Sequence, residues 1–111
     1  MAHKPLSATA AYSAMKAAQI NLIKTLSHEG SLINLRANAV TPGIIDTPIH
    51  QFHSLPPEEK SKVEKNISQL QLIKRFGQPS DIAQVLCFLI SKESSWITGT
   101  HLDVDGGINI K

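Results

Sequence analysis

The chain has 111 residues, 41% hydrophobic and 18% charged, with a formal net charge of +2. It is long enough for one small domain burying about two-thirds of its unfolded surface, and its charge is too small and scattered to mark nucleic acid or a membrane surface as a partner. One cysteine, Cys87, excludes an internal disulfide, and no apolar stretch approaches the ~20 residues of a membrane span, so the expected location is the cytoplasm.

A helix is expected from about Ala11 to Glu29. Ala11, Met15, Ala18, Leu22 and Leu26 recur at three- and four-residue steps and define its expected apolar face. Ser7 or Thr9 is placed to cap its start and Gly30 to end it, with His28 in the last turn. Alanines at 8, 10, 11, 14, 17 and 18 keep the first turns thin. A thin helix lets a backbone or a ligand approach closely.

Leu35 to Val40 alternates in character and stops at Thr41-Pro42-Gly43, which predicts a strand running into a turn. Ile44 to about Leu55 has no period and reads as a loop. Pro57-Glu58-Glu59 has the signature of a helix start, proline in the first turn and acids at the positive end of the dipole, and that helix is expected to run to about Ile67. Its run of alternating charges from Glu58 to Lys65 predicts an exposed face.

Arg75 to Pro79 is a connector, and Ser80 is expected to cap a helix with an apolar stripe at Ile82, Val85, Leu86, Leu89 and Ile90. Cys87, inside that run, is expected as a small core hydrophobe. Trp96 to Val104 predicts a strand entered through Gly99, and Asp105-Gly106-Gly107 a turn. Trp96 is expected to pack or to sit at an interface. The order helix, strand, helix, strand is that of an α/β fold with a parallel sheet. Two strands make a narrow parallel sheet, and the first helix has no strand before it, so upstream strands are expected to be absent from this chain or supplied by another.

Tyr12 and Lys16 lie four apart on a helix, so their side chains leave one face a turn apart. An ammonium near a phenol favours the phenolate, which suits the hydroxyl to general acid–base work. The spacing alone fits equally a half-buried ring beside a solvated lysine. In an open parallel sheet, ligands gather beyond the carboxyl ends of strands, where Val40 to Gly43 is placed, and Gly43 would let its backbone approach a planar ligand. Pro42-Gly43 by itself also fits an ordinary turn.

The stretch Ala11-Tyr12-Ser13-Ala14-Met15-Lys16-Ala17-Ala18 resembles the active-site helix of short-chain dehydrogenases/reductases. Leu35 through Pro48 is similar to the strand and nicotinamide loop that follow it in that family. Arg75 to Ala83 resembles the turn into the last long helix, and Ile97 to Gly107 the final strand and turn. The four motifs occur in family order across nearly the whole chain. The resemblance implies the C-terminal half of a Rossmann-type doubly wound sheet, one partial domain over residues 1–111.

It also implies an oxidoreductase using NAD or NADP to reduce a small carbonyl compound or oxidise the matching alcohol. Tyr12 would exchange the proton, and Lys16 would assist it and bond the nicotinamide ribose. Pro42, Gly43, Ile45 and Thr47 would line the nicotinamide, and residues 47–72 would form a substrate lid. A homo-oligomer through the long helices and last strand is implied too.

The family's glycine-rich pyrophosphate turn, NAD-versus-NADP selector and upstream asparagine have no counterpart here. Its catalytic serine falls just before Met1, and Ser7 is too close to Tyr12 to replace it. The alternative reading is therefore a catalytically inactive fragment or pseudoenzyme with a structural or oligomerising role. His50 and His53 lack a ligand set of recognisable spacing and read as solvated lid residues. Asp103 and Asp105 near the end read as part of a turn, and no metal is expected.

Overall fold

The computed structural model describes residues 9–48 and 54–110, and of Ser68 the backbone alone. Among them the order is α1 (Ala10–Gly30), β1 (Ala39–Pro42), α2 (Pro57–Leu70), α3 (Pro79–Ile90) and β2 (His101–Val104), with 3-10 turns at Ser31–Ile33 and Lys92–Ser94. The two strands pair in one sheet. The Ala39 amide donates to the Thr100 carbonyl at 2.9 Å and the Gly43 amide to that of Val104 at 3.0 Å, so both strands advance in the same direction. The α/β class with a parallel pair is as expected.

The chain divides into two units: one runs up to Val40 and includes Phe88–Leu102, the other comprises Thr41–Cys87 and the residues from Asp103. In the first, α1 forms over a long run of good helix formers without proline. Its packed face is not the expected one. Ala11, Met15, Ala18, Leu22 and Leu26 are exposed, and the less accessible residues are Ser13, Lys16, Ile20, Ile23, Ser27 and Gly30. Among the described residues the apolar stripe stays exposed, while the face carrying Ile20, Ile23 and Ser27 is the one that is covered. Ser27 is buried, its hydroxyl shared between the Ile23 and Ala37 carbonyls at 2.9 and 2.8 Å.

Capping also differs. Thr9 precedes the helix without a side-chain bond to its backbone; its hydroxyl meets that of Ser13 at 3.1 Å, and Ser7 lies outside the described residues. Gly30 keeps a right-handed conformation, and the left-handed residue is Asn34, at φ 56°. Gly30 is required for space: a Cβ there would lie 2.7 Å from Leu35 Cδ2.

The predicted strand Leu35–Val40 begins only at Ala39, because the residues before it are tied by side chains. The Arg36 guanidinium donates to the carbonyls of Ile97 (3.0 Å), Leu89 (2.9 Å) and Ser91 (3.2 Å). It thereby satisfies carbonyls at the end of α3 that have no helical partner. Asn38 donates to the Ile97 carbonyl and accepts from the Thr100 amide. The fully buried Ser94 donates to the Leu89 and Ser91 carbonyls. β2 starts at His101, after Gly99 at φ +69°, whose amide donates to the Ala37 carbonyl at 2.7 Å.

In the second unit α2 starts at Pro57 with Glu58 and Glu59 in its first turn, as expected, and runs on to Leu70, burying Ile67. Ser80 lies inside α3 rather than capping it: the Asp81 carboxylate takes the Gln78 amide at 2.7 Å. Of the α3 stripe, Leu89 is buried and Ile82 and Val85 are partly covered, whereas Leu86, Ile90 and Cys87 are exposed. Cys87 is therefore no core residue; it lies on the side of α3 that is exposed among the described residues. Trp96 is 99% exposed among the described residues.

Candidate active site

In the first unit, Tyr12 and Lys16 emerge one turn apart near the start of α1. The Tyr12 ring is half exposed, at 52%, and the Lys16 ammonium lies 5.5 Å from its centroid, a cation–π contact. The same ammonium donates to Gln19 Oε1 at 3.2 Å. A reachable phenolic hydroxyl beside an ammonium is a donor set that suits a carbonyl oxygen and a sugar diol.

In the second unit, Pro42, Gly43, Ile45 and Thr47 share one segment at the end of β1. Gly43 answers to protein packing: a Cβ there would lie 2.6 Å from Asp105 Cα and 2.7 Å from its carbonyl oxygen. Its missing side chain is thus explained by the Asp105 turn. Ile45 forms a parallel bridge with Gly77, in which the Gly77 amide donates to the Ile44 carbonyl at 3.0 Å and the Asp46 amide to the Gly77 carbonyl at 2.8 Å. A Cβ on Gly77 would collide with Ile45 Cδ1.

The bridge is anchored by Arg75, whose guanidinium grips both Asp81 oxygens at 2.7 and 3.0 Å and bonds the Phe76 carbonyl. The hydrogen bonds from Arg75, then the Gln78 amide, hold the Asp81 carboxyl down to about 2, while the bond to Asp81 raises Arg75 further. These supports were not legible as site residues, although Arg75-Phe76-Gly77-Gln78-Pro79 was visible as a connector.

The Asp105-Gly106-Gly107 turn forms as expected, with φ of +65° and +81° at its glycines. Asp105 is buried, and its carboxylate accepts the amides of Gly107 and Asn109 at 2.8 and 3.1 Å. His50 and His53, with residues 49–53, lie outside the described residues.

The sequence profile of the family described as Enoyl-(Acyl carrier protein) reductase matches residues 1–109. The chain belongs to the short-chain dehydrogenase/reductase family. It is 44% identical over 99 residues to the 3-oxoacyl-acyl-carrier-protein reductase FabG of Thermotoga maritima, covering 89% of this chain and 38% of that protein. Among solved structures, the aldohexose dehydrogenase of Thermoplasma acidophilum matches with a TM-score of 0.85 at 34% identity, over 99% of this chain and 45% of the other. L-Sorbose reductase from Gluconobacter frateurii, complexed with NADPH and L-sorbose, also reaches 0.85, at 29% identity, over 99% of this chain and 44% of the other. The chain thus spans under half the length of these members of the short-chain dehydrogenase/reductase family.

Proposed function

We propose that this chain is the proton-transfer and nicotinamide-facing half of an NAD(P)-dependent oxidoreductase that reduces a small carbonyl compound or oxidises the corresponding alcohol. The observation that carries the reading is the half-exposed Tyr12 with the Lys16 ammonium against its ring, in a chain of this family. When bound, the cofactor supplies or accepts the hydride. Tyr12 Oη gives a proton to the substrate oxygen in reduction and takes one from the alcohol in oxidation. Lys16 Nζ, a triple donor, would hold the ribose hydroxyls of the bound cofactor. Pro42, Gly43, Ile45 and Thr47 would line the nicotinamide, and the segment 47–72 would serve as the substrate lid.

Residues 1–111 form one partial domain of that enzyme. A second copy of the chain is the expected partner, a reading supported by the exposed apolar residues of α1. Among the described residues no helix is long and apolar enough to cross a membrane, and we place the protein in the cytoplasm.

The test is Tyr12→Phe in the full-length protein, assayed by NADH or NADPH consumption against a panel of ketones and aldehydes. Turnover is expected to fall by roughly 10²- to 10⁴-fold, the usual contribution of a positioned acid–base group, with cofactor binding retained. Unchanged turnover would remove Tyr12 from the reaction.

A further inference from the structure

Gln71 is the most buried residue of the second unit, at 2% exposure, yet polar. It follows α2 in an extended conformation, φ −131° and ψ 163°. Its Nε2 donates to the Ile73 carbonyl at 2.7 Å and also to that of Arg75. The Ile73 carbonyl takes the Arg75 amide as well, at 2.9 Å. One side-chain amide thus closes the tight turn Ile73–Arg75 from within.

Two supports of the Gly43–Ile45 segment meet at this residue. The first is the Asp105–Gly107 turn, which fills the space beside Gly43. The Gly106 carbonyl accepts the Leu72 and Ile73 amides at 2.8 and 2.9 Å. A Cβ on Gly106 would stand at 3.4, 3.5 and 3.6 Å from Cδ, Oε1 and Nε2 of Gln71, so that glycine rests on the flat face of the amide. The second support is the Gly77 bridge to Ile44 and Asp46, reached through Arg75, whose carbonyl Gln71 holds and whose guanidinium grips Asp81. Gly43, Ile45, Gln71, Arg75, Gly77 and Gly106 all border one cavity of about 420 Å³.

We propose that Gln71 is a positioning residue for the Gly43–Ile45 segment, setting how that segment meets the nicotinamide by holding the Ile73–Arg75 turn and the Gly106 turn in register. The cofactor half of this inference rests on the function proposed above; the positioning half does not. The side-chain amide suits the site because it offers two donors at one uncharged atom to two carbonyls. Leucine at this position would fit the space but remove the side-chain donor from both carbonyls, leaving that of Ile73 with the Arg75 amide. A glutamate would set an anion against them, and would recover one donor only when protonated.

The experiment compares wild type, Gln71→Leu and Gln71→Glu in the full-length protein, by amide hydrogen exchange and by NADH or NADPH binding. In Q71L, exchange at Leu72, Ile73, Gly77 and Asp46 is expected to accelerate about tenfold or more while Ser27 and Ser94 amides keep their protection. The cofactor dissociation constant should rise about tenfold, and in Q71E it should fall back toward wild type as the pH is lowered. Exchange at those amides equal to wild type in both variants overturns the positioning role. Accelerated exchange with cofactor affinity within about twofold of wild type overturns the link to the nicotinamide. If wild type binds neither cofactor, the oxidoreductase reading falls by itself, and the exchange pattern still decides the role of Gln71. Should Q71L not fold, Q71E at low and neutral pH carries the same comparison.

Discussion

Gly43 lies so close to Asp105 that any side chain on it would overlap the Asp105 backbone, at 2.6 Å from Cα and 2.9 Å from the carbonyl carbon. Backbone cannot turn aside as a flexible side chain does. Asp105 is further fixed, because its carboxylate caps Gly107 and Asn109. Gly43→Ala is therefore expected to destabilise the protein by about 1–3 kcal/mol, the cost of forcing one methyl into a packed contact. Urea unfolding measures it. A Gly43→Ala protein as stable as wild type would show that the two turns separate freely.

The Arg75–Asp81 pair gives a pH dependence with a definite sign. The Asp81 carboxyl titrates at about 2 in the folded chain against 3.8 ordinarily, so the folded state favours its ionised form. Its contribution is complete above the ordinary carboxylate value and disappears as the pH falls through about 2. Asp81→Asn should thus be less stable than wild type at neutral pH and converge with it under strong acid. Because both groups are partly exposed, added salt should narrow the neutral-pH gap. A gap that persists at the lowest accessible pH would show that the effect does not come from the carboxylate charge.

Ser27→Ala isolates the buried hydroxyl of α1. It removes the donor to Ala37, whose carbonyl still holds the Gly99 amide at 2.7 Å, so the loss is one hydrogen bond rather than an orphaned acceptor. The expected cost is about 1 kcal/mol, read as a lower denaturation midpoint at unchanged slope. A stabilised variant would mean the hydroxyl is in strain with its two carbonyls.

Much of this was legible in the chain. Pro57-Glu58-Glu59 and Asp105-Gly106-Gly107 carry their conformations in local chemistry, and both formed where expected. The four family motifs were recognisable because they are short and local. What the sequence hid depends on partners distant in the chain. Periodicity found the apolar stripe of α1 but not which face packs, since that is decided by Ala37 meeting Ser27. Arg36 and Asn38 read as strand residues until their bonds to Ile97 and Thr100 are known. Gln71 carries no motif at all; a glutamine after an amphipathic helix looks like any surface residue until its carbonyl partners are placed.

The exposed stripe itself leads to a final expectation. Met15 at 67% and Leu22 at 53% exposure stand on one face of α1 with Leu26, so water meets a continuous apolar ridge. Fully burying a leucine is worth about 1.5–3 kcal/mol and covering the exposed half of Leu22 roughly half of that, and a second copy of the chain would cover the same ridge on both partners. Leu22→Lys should then shift the protein to a smaller species in sedimentation velocity. Because Leu22 touches little within its own chain, the unfolding midpoint of the dissociated form should change by no more than about 0.5 kcal/mol equivalent. A sedimentation coefficient identical to wild type would show that α1 is not where copies meet.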